Sequence, residues 1–193
     1  MNDGPVATLD GVRARDLVVV PLAAAHLDQV LAIEARVATT GWSRGIFQRE
    51  LADHVSRSYL VAVHPTLHGP VVVGYAGMQL LVDEAHITTM AVAEQARRRG
   101  VATRLLVELL REARARGAAS ATLEVRVDNM AARALYAGFG FRPVGLRPRY
   151  YDGAVDALIM WAHDVGGAEL GRLLRARDPV HGALPRDPYD EEA

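Results

Sequence analysis

The chain has 193 residues, half of them hydrophobic, which is enough for one compact domain with its own core. It contains no cysteine, so disulfides, a thiolate nucleophile and a cysteine-based zinc site are excluded. The formal net charge of −1 argues against non-specific nucleic-acid binding, which usually needs a basic surface. No apolar run is long enough to cross a membrane, and the polar start of the chain lacks a signal-like apolar segment. We therefore expect a cytoplasmic protein.

The first half of the chain combines helical and strand-like patterns. Residues 1–15 are expected to form a flexible terminus. Hydrophobic spacing then predicts, in chain order, a strand at 16–22, helices at 26–38 and 44–54, and strands at 59–64, 71–82 and 85–92. Because several strands follow the two helices without alternating with them, the pattern favours the α+β class over a strict βαβ alternation.

The second half is predicted to complete the domain. The expected elements are a helix opened by Gly100 and ended by Gly117, a strand at 121–127, a helix at 130–139, strands at 141–151 and 154–163, and a short helix at 166–176. From Asp178 the chain is rich in Asp, Pro, Gly and Arg, so we expect a disordered or loosely attached tail. The main domain is placed at 16–165, and the short helix with the tail at 166–193.

Three consecutive arginines, Arg97, Arg98 and Arg99, precede Gly100 and a strongly amphipathic helix. The start of a helix presents unpaired N–H groups and a partial positive charge, which suits a pyrophosphate. Gly100 lets the backbone approach a ligand closely, and the arginines add charge-assisted contacts. The segment 97–103 therefore predicts a phosphate-binding site.

The same segment, Arg-x-x-Gly-x-Ala, resembles the (Gln/Arg)-x-x-Gly-x-(Gly/Ala) signature of the GNAT superfamily of N-acetyltransferases. Further matching segments agree in order and spacing over roughly 83–141: MAV at 90–92, LEVR at 123–126, NMAARALY at 129–136 and GFGF at 138–141. A narrower resemblance, to the bacterial ribosomal-protein-alanine N-acetyltransferase (RimI-type) branch, covers roughly 17–161. It rests on Trp-Ser at 42–43, Asp-Glu-Ala at 83–85, LEVR at 123–126 and Arg-Tyr-Tyr at 149–151. Two departures are Ala102 in place of the commoner Gly, and a loop at 93–96 without the usual Asp-Pro.

The resemblance implies a GNAT fold, with a mixed central sheet of about six to seven strands flanked by helices. It also implies acetyl-CoA as cosubstrate, bound along the strand that ends at Val92, where a backbone N–H polarises the thioester carbonyl. The acceptor it implies is a protein N-terminus, most specifically the N-terminal alanine of a small-subunit ribosomal protein. The residues implied for binding acetyl-CoA are Met90, Ala91, Val92, Arg97, Arg98, Arg99, Gly100, Val101, Ala102, Thr103 and Asn129.

Glu124 and Tyr136 share the spacing of the catalytic pair in that family. Glu124 is the candidate general base, because an α-amino group with a pKa of about 7.7–8.0 is already partly neutral and needs only a carboxylate. Tyr136 is the candidate general acid for the departing thiolate. The alternatives are that Glu124 is a solvated residue paired with Arg126, and that Tyr136 packs under the sheet. Asn129 has a second reading as a helix N-cap.

Four residues are expected to flank the acceptor groove: Trp42, Arg149, Tyr150 and Tyr151. Aromatic side chains there would clamp a peptide, and the alternative is ordinary packing at strand ends. His86 lies in a predicted strand, where it is either a second proton-handling group or a structural histidine. The seven histidines show no metal-binding spacing, so we predict no metal.

Other functions compete with this assignment. A GNAT enzyme acting on a polyamine or an aminoglycoside is the first, since one fold serves many acceptors. A non-catalytic acyl-CoA-binding module is the second, although the presence of both Glu124 and Tyr136 argues against it. A nucleic-acid binder using Arg97, Arg98 and Arg99 is disfavoured by the charge balance. A Rossmann domain does not fit, because no G-x-G-x-x-G follows an early strand.

Overall fold

The computed structural model describes residues 12–37, 41–178 and 180. Its strands are β1 (Val18–Pro21), β2 (Arg57–His64), β3 (Val71–Leu81), β4 (Glu84–Val92), β5 (Ser120–Arg126), β6 (Arg142–Tyr151) and β7 (Val155–His163). Its helices are α1 (Leu27–Val37), α2 (Arg44–Ala52), α3 (Val101–Ala115), α4 (Met130–Ala137) and α5 (Ala168–Arg177). Single 3₁₀ turns lie at Ala14–Asp16, Ala24–His26 and Glu94–Ala96. None of the helices in these ranges is long and apolar enough to cross a membrane.

All seven strands form one mixed sheet in the order β1-β2-β3-β4-β5-β7-β6, which confirms the predicted α+β fold. Every neighbouring pair is antiparallel except β4 and β5. The parallel β4–β5 ladder is short and ends at the pair Ile87–Leu123. Beyond it, β5 stays paired with β7 as far as Arg126, while β4 stays paired with β3 as far as Val92. The two strands therefore separate, and we call the space between 88–92 and 124–126 the fork.

A bulge in β4 lies at the start of the fork. Gly77 of β3 pairs with Thr89, whereas the next residue, Met78, pairs with Ile87. Thr88 is therefore an extra residue in β4, and a bulge of this kind bends a strand and increases its twist. The bend begins one residue past the last β4–β5 pair and directs the end of β4 away from β5.

Helices cover both faces of the sheet. In β2, alternate residues belong to different cores, since Leu60 packs in one hydrophobic cluster and Val61 in the other. The first cluster lies under α3, whose apolar positions recur at the helical period and are all buried: Val101, Leu105, Leu106, Leu109 and Leu110. The second lies under α1 and α2. We call these the α3 face and the α1 face.

The carboxyl-terminal helix α5 packs against α3, and its Leu170 and Leu174 belong to the core of the α3 face. Asp178, where the sequence places the start of a loose tail, is fully buried and ion-paired with Arg104 at 2.8 Å and Arg111 at 2.7 Å. The expectation of loose attachment is wrong for this residue, because a buried carboxylate with two guanidinium partners is anchored. Apart from Val180, the rest of the tail lies outside the described residues.

The amino-terminal expectation also needs a correction. Residues 1–11 lie outside the described part of the chain, but Val12 and Ala14 are buried. The backbone N–H of Ala14 donates to the carbonyl of Arg99 at 3.1 Å, which ties this segment to the loop before α3. Residues 12–15 are therefore packed against the domain and are not a flexible terminus.

Candidate active site

A cavity of about 570 Å³ opens in the fork. The predicted site residues that line it are Trp42, Met90, Ala91, Val92, Arg97, Glu124, Asn129, Tyr136 and Tyr151. Predicted residues outside its lining are Arg98, Arg99, Gly100, Val101, Ala102 and Thr103, at the start of α3, together with Arg149 and Tyr150 on β6. The structure thus brings the candidate base, the candidate acid and the end of β4 together around one space.

The edge of β4 that faces the cavity is free of the β4–β5 ladder after Ile87. Thr88, Thr89, Met90, Ala91 and Val92 line the cavity, while Thr89 to Val92 stay paired with β3 on their other edge. Backbone groups along such an edge can pair with an extended ligand that carries amide groups, as an added strand would. An extended ligand with its own amides therefore fits this side of the fork.

The loop after β4 carries the predicted phosphate site. Arg97 lines the cavity and its Nε donates to the carbonyl of Val92 at 3.4 Å. Gly100 precedes α3 with a φ of +80°, in the left-handed region that side chains disfavour. A Cβ at this position would also lie 3.0 Å from the Cβ of Ala14. The glycine is required by the backbone conformation at the start of α3, in addition to any approach of a ligand.

Replacing Gly100 with alanine is expected to weaken the binding of CoA about tenfold, measured by calorimetry as the Kd. A left-handed alanine costs about 1–2 kcal/mol, which the loop relieves by changing the conformation that presents the start of α3. Gly117→Ala is the matched control: its φ is +81°, it follows the other end of α3 and nothing lies within 4 Å of the added Cβ. The control should lose similar stability and keep its Kd. An unchanged Kd in Gly100→Ala contradicts the phosphate-site assignment.

The carboxylate of Glu124 is held by two side chains. Its neighbours Leu123 and Val125 point into the core of the α3 face, so Glu124 itself projects from the α1 face. Its side chain is only 10% exposed, and Oε1 forms an ion pair with Arg147 Nη1 at 3.0 Å. Oε2 lies 2.7 Å from His86 Nε2. The sequence proposed Arg126 as the alternative partner, but Arg126 pairs with Asp128 instead.

Tyr136 enters the cavity from the other face of the sheet. Its position on α4 places the ring in the core of the α3 face, 5.9 Å from the ring of Phe141, and 7% of the residue is exposed. Burial raises the pKa of the Tyr136 phenol, and the nearby Tyr151 phenol raises it further. Tyr136 therefore keeps its proton at physiological pH, as a proton donor must. The packing role that competed with the acid role is also present, since the ring is buried.

The two tyrosines at the end of β6, Tyr150 and Tyr151, lie in different surroundings. Tyr151 lines the cavity and its phenol donates to the backbone carbonyl of Glu124 at 3.0 Å, so it fixes β5 as well as flanking the cavity. Burial raises the pKa of Tyr151 to about 12, with smaller contributions from Tyr150 and Glu124. Tyr150 is exposed beneath Arg147, and Arg149 donates its backbone N–H to Asp156. The structure brings only Tyr151 of this group to the cavity wall.

Glu34 is a cavity residue that the sequence analysis missed. It lies on α1, is buried, and accepts from the backbone N–H of Trp42 at 2.9 Å and from the phenol of Tyr75. A Cβ on Gly41 would lie 2.8 Å from Glu34 Cγ, so the glycine lets the chain pass over the carboxylate. The available signal was a carboxylate at a position that continues the apolar stripe of α1, four residues after Val30.

Asn129 caps α4, because its Oδ1 accepts from the backbone N–H of Ala132 at 3.1 Å, and it also lines the cavity. Capping accounts for its identity, and its place at the wall is compatible with a contact to the ligand. Within the described ranges, no three histidine, aspartate or glutamate side chains are grouped as a metal site needs.

Comparison with known proteins places this site in a family. The model of the acetyltransferase (GNAT) family matches residues 27–141, more than half of the chain. A putative ribosomal protein bS18-alanine N-acetyltransferase of Bacillus subtilis is 38% identical over 139 residues, 70% of this chain and 87% of that protein. The ribosomal protein bS18-alanine N-acetyltransferase of Escherichia coli is 35% identical over 131 residues, 66% of this chain and 84% of that protein.

A solved structure agrees with these relatives. The crystal structure of the ribosomal-protein-S18-alanine N-acetyltransferase from Escherichia coli superposes with a TM-score of 0.67 at 31% identity, covering 77% of this chain and 94% of that one. The matched range 27–141 contains both the strands that form the fork, β4 and β5, and the predicted signature before α3. The chain is an N-acetyltransferase and belongs to the GNAT family.

Proposed function

We propose that the protein transfers the acetyl group of acetyl-CoA to the N-terminal α-amino group of a protein, with the N-terminal alanine of a small-subunit ribosomal protein as its acceptor. The observation that carries the proposal is the placement of Glu124 and Tyr136 in the wall of one cavity, beside the open edge of β4. The two side chains reach the cavity from opposite faces of the sheet. This arrangement allows one of them to take a proton while the other gives one.

The residues present fit acetyl-CoA, which supplies the acetyl group as an activated thioester. The open edge of β4, from Thr88 to Val92, suits the amide-bearing arm of the molecule. Arg97 and the start of α3 suit its phosphates. In this proposal the backbone near Val92 polarises the reacting carbonyl, and the side chains of Met90, Ala91 and Val92 serve only to form the strand.

The charges of the cavity support an amine as acceptor. Glu34 and Glu124 both line it on the side covered by α1, and both carboxylates favour a cation there. Arg97 stands after the end of β4, where an anionic ligand is favoured. The cavity thus separates a place for an ammonium group from a place for phosphate.

Glu124 and Tyr136 each have one proton transfer in this mechanism. Glu124 accepts the proton of the α-ammonium group, directly or through a water molecule, and the neutral amine attacks the thioester carbon. Tyr136 donates its phenolic proton to the sulfur that departs. The nitrogen–carbon bond forms as the carbon–sulfur bond breaks, and the second proton that the nitrogen must lose returns through water to the Tyr136 phenolate. The products are an acetylated N-terminus and CoA with a free thiol, and Glu124 releases its proton to solvent.

Two observations support a protein N-terminus over other amines. Trp42, Tyr75 and Tyr151 line the cavity and offer flat apolar surface and hydroxyl groups for a peptide. The relatives at 35–38% identity are named as enzymes that acetylate the alanine of a ribosomal protein. An α-amino group also needs less help from a base than a lysine amine, whose pKa is about 10.4.

A steady-state assay of CoA release tests the proposal with four acceptors: an alanine-starting ribosomal peptide, an N-terminally blocked twin that carries lysine, a polyamine and an aminoglycoside. We expect turnover with the free N-terminal peptide alone. Turnover with the polyamine or the aminoglycoside, and none with the peptide, would replace the proposed acceptor. Turnover with the blocked twin would move the acceptor from the α-amine to a lysine side chain.

A further inference from the structure

His86 meets Glu124 where β4 and β5 begin to separate. Its Cα pairs with Thr122 in the β4–β5 ladder, one position before the last pair, Ile87–Leu123. Glu124 is the first residue of β5 past that ladder. Because His86 and Glu124 project from the same face, the 2.7 Å contact between Nε2 and Oε2 runs diagonally across the start of the fork. His86 itself stands outside the cavity lining.

The two partners of the Glu124 carboxylate differ in how firmly they are held. Arg147 is 52% exposed at its side chain and lies on the edge strand β6, just where the β6–β7 register becomes irregular. An exposed guanidinium on a long side chain is screened by water and holds its partner weakly. His86 is 30% exposed, has a short rigid ring, and lies in a strand paired on both sides, with Gln79 and Thr122. His86 is therefore the firmer of the two anchors.

The carboxylate of Glu124 needs such an anchor because a general base must point at the proton that it removes. Arg147 takes one oxygen and His86 takes the other, which fixes the plane of the group and leaves its remaining lone pairs for the cavity. A base that is free to rotate spends part of its time facing away from the amine, and small misplacements cost large factors in rate. A rigid second residue behind the base prevents this loss.

We propose that His86 is a positioning residue, which holds the carboxylate of Glu124 towards the acceptor amine by donating its Nε2–H to Oε2. This rests on the proposed function in one respect, namely that Glu124 is the base. The imidazole touches neither the acceptor nor the thioester, so its whole effect on the rate passes through Glu124. A purely structural histidine would affect the stability of the sheet and leave the rate of the folded enzyme unchanged.

Two substitutions of His86 test the proposal on the full chain. His86→Gln places an amide N–H where the ring Nε2–H was, and we expect kcat within about threefold of the wild type. His86→Leu keeps the volume and removes the donor, and we expect kcat to fall about tenfold or more while the KM for acetyl-CoA stays within about twofold. Wild-type kcat in His86→Leu, or an equal loss in both variants, overturns the proposal.

A kinetic double-mutant cycle tests whether His86 acts through Glu124. In a chain that already carries Glu124→Gln, we expect His86→Leu to lower kcat by less than about twofold, because the base it positions is gone. An undiminished loss on that background overturns the proposal. The cycle uses whichever acceptor the wild type turns over, so a polyamine substrate would refute the proposed acceptor and still decide the role of His86.

A second cycle measures stability instead of turnover. It therefore distinguishes a failure of the His86 proposal from a failure of the proposed function. Chemical denaturation of the wild type, His86→Leu, Glu124→Ala and the double variant gives the unfolding equilibrium constants, and we expect the two single changes to be non-additive by about threefold or more, because alanine removes the oxygen that His86 contacts. Strict additivity would show that the contact is not made in solution and would overturn the proposal. A wild-type protein that is inactive on every acceptor would refute the proposed function, while this cycle would still report on the contact.

Discussion

Tyr136→Phe is expected to lower kcat about 100-fold or more and to leave the Kd for acetyl-CoA within about twofold. The change removes one oxygen from a side chain that is otherwise buried, so the packing against Phe141 is kept. Without the phenol, the departing sulfur must take its proton from water. Single-turnover kinetics with the N-terminal peptide would measure the chemical step, and calorimetry would measure the binding of acetyl-CoA.

The direction of the pKa shift gives this prediction a pH signature. Burial raises the pKa of Tyr136 above its ordinary value of about 10, so the folded enzyme holds the phenol protonated throughout the neutral and mildly alkaline range. The wild-type kcat should therefore show no loss from this group as the pH rises to about 10. Activity that instead rises with pH over this range, and no longer does so in Tyr136→Phe, would assign Tyr136 a role as an ionised base.

Tyr59→Phe is the matched control, because it also removes a buried phenol on the sheet. The Tyr59 hydroxyl donates to Glu50 of α2 at 2.5 Å and lies outside the cavity lining. We expect it to lower the midpoint of denaturation and to leave kcat within about twofold, because a lost buried hydrogen bond costs stability. If Tyr136→Phe keeps wild-type turnover and changes only stability, as expected for Tyr59→Phe, the assignment of Tyr136 as the general acid is wrong.

The elements with strong periodicity were predictable because their apolar positions alone define one buried side. The helix opened by Gly100 shows this best: its leucines recur at helical spacing and all meet the sheet. Boundaries were less certain where turn glycines compete. The helix after Asn129 ends at Ala137, two residues earlier than predicted, and Gly140 then adopts a φ of +88°. Propensity indicates the existence of an element better than its last turn.

The separation of β4 from β5 was not predictable from either strand. β4 ends in Met-Ala-Val and β5 in Glu-Val-Arg, and nothing in the sequence of β4 shows that Thr88 is an extra residue in the pairing with β3. A bulge is a property of two strands together, because it counts one residue against its partner. The family signature predicts the cofactor segment without showing why the strand edge beside it is open.

Buried charges were the second class of feature that the sequence concealed. Glu34 and Asp178 are acidic residues, and residue type alone favours an exposed position for both. Each is buried only because partners distant in the chain reach it: Tyr75 in the first case, Arg104 and Arg111 in the second. Such partners become visible only when the sheet and helices are assembled.

Glu124→Gln is expected to lower kcat about 100-fold at about pH 6.5, with a deficit that narrows as the pH rises to about 9. Below the amine pKa of about 7.7–8.0, most acceptor molecules carry the proton that the base must remove. Above it, the acceptor is already neutral and the carboxylate contributes little. The amide keeps the size of the side chain and can still accept from Arg147, so the fold should be unchanged.

The measurement is the pH dependence of kcat for both enzymes with the N-terminal peptide, and their ratio is the informative quantity. A ratio that is constant with pH would indicate that Glu124 orients the acceptor and does not take its proton. Glu112→Gln serves as the control, because this carboxylate on α3 is half-buried, accepts from Ser58 at 2.6 Å and lies outside the cavity lining. Its profile should match the wild type at every pH, which would tie the pH-dependent loss to the carboxylate that His86 and Arg147 hold in the fork.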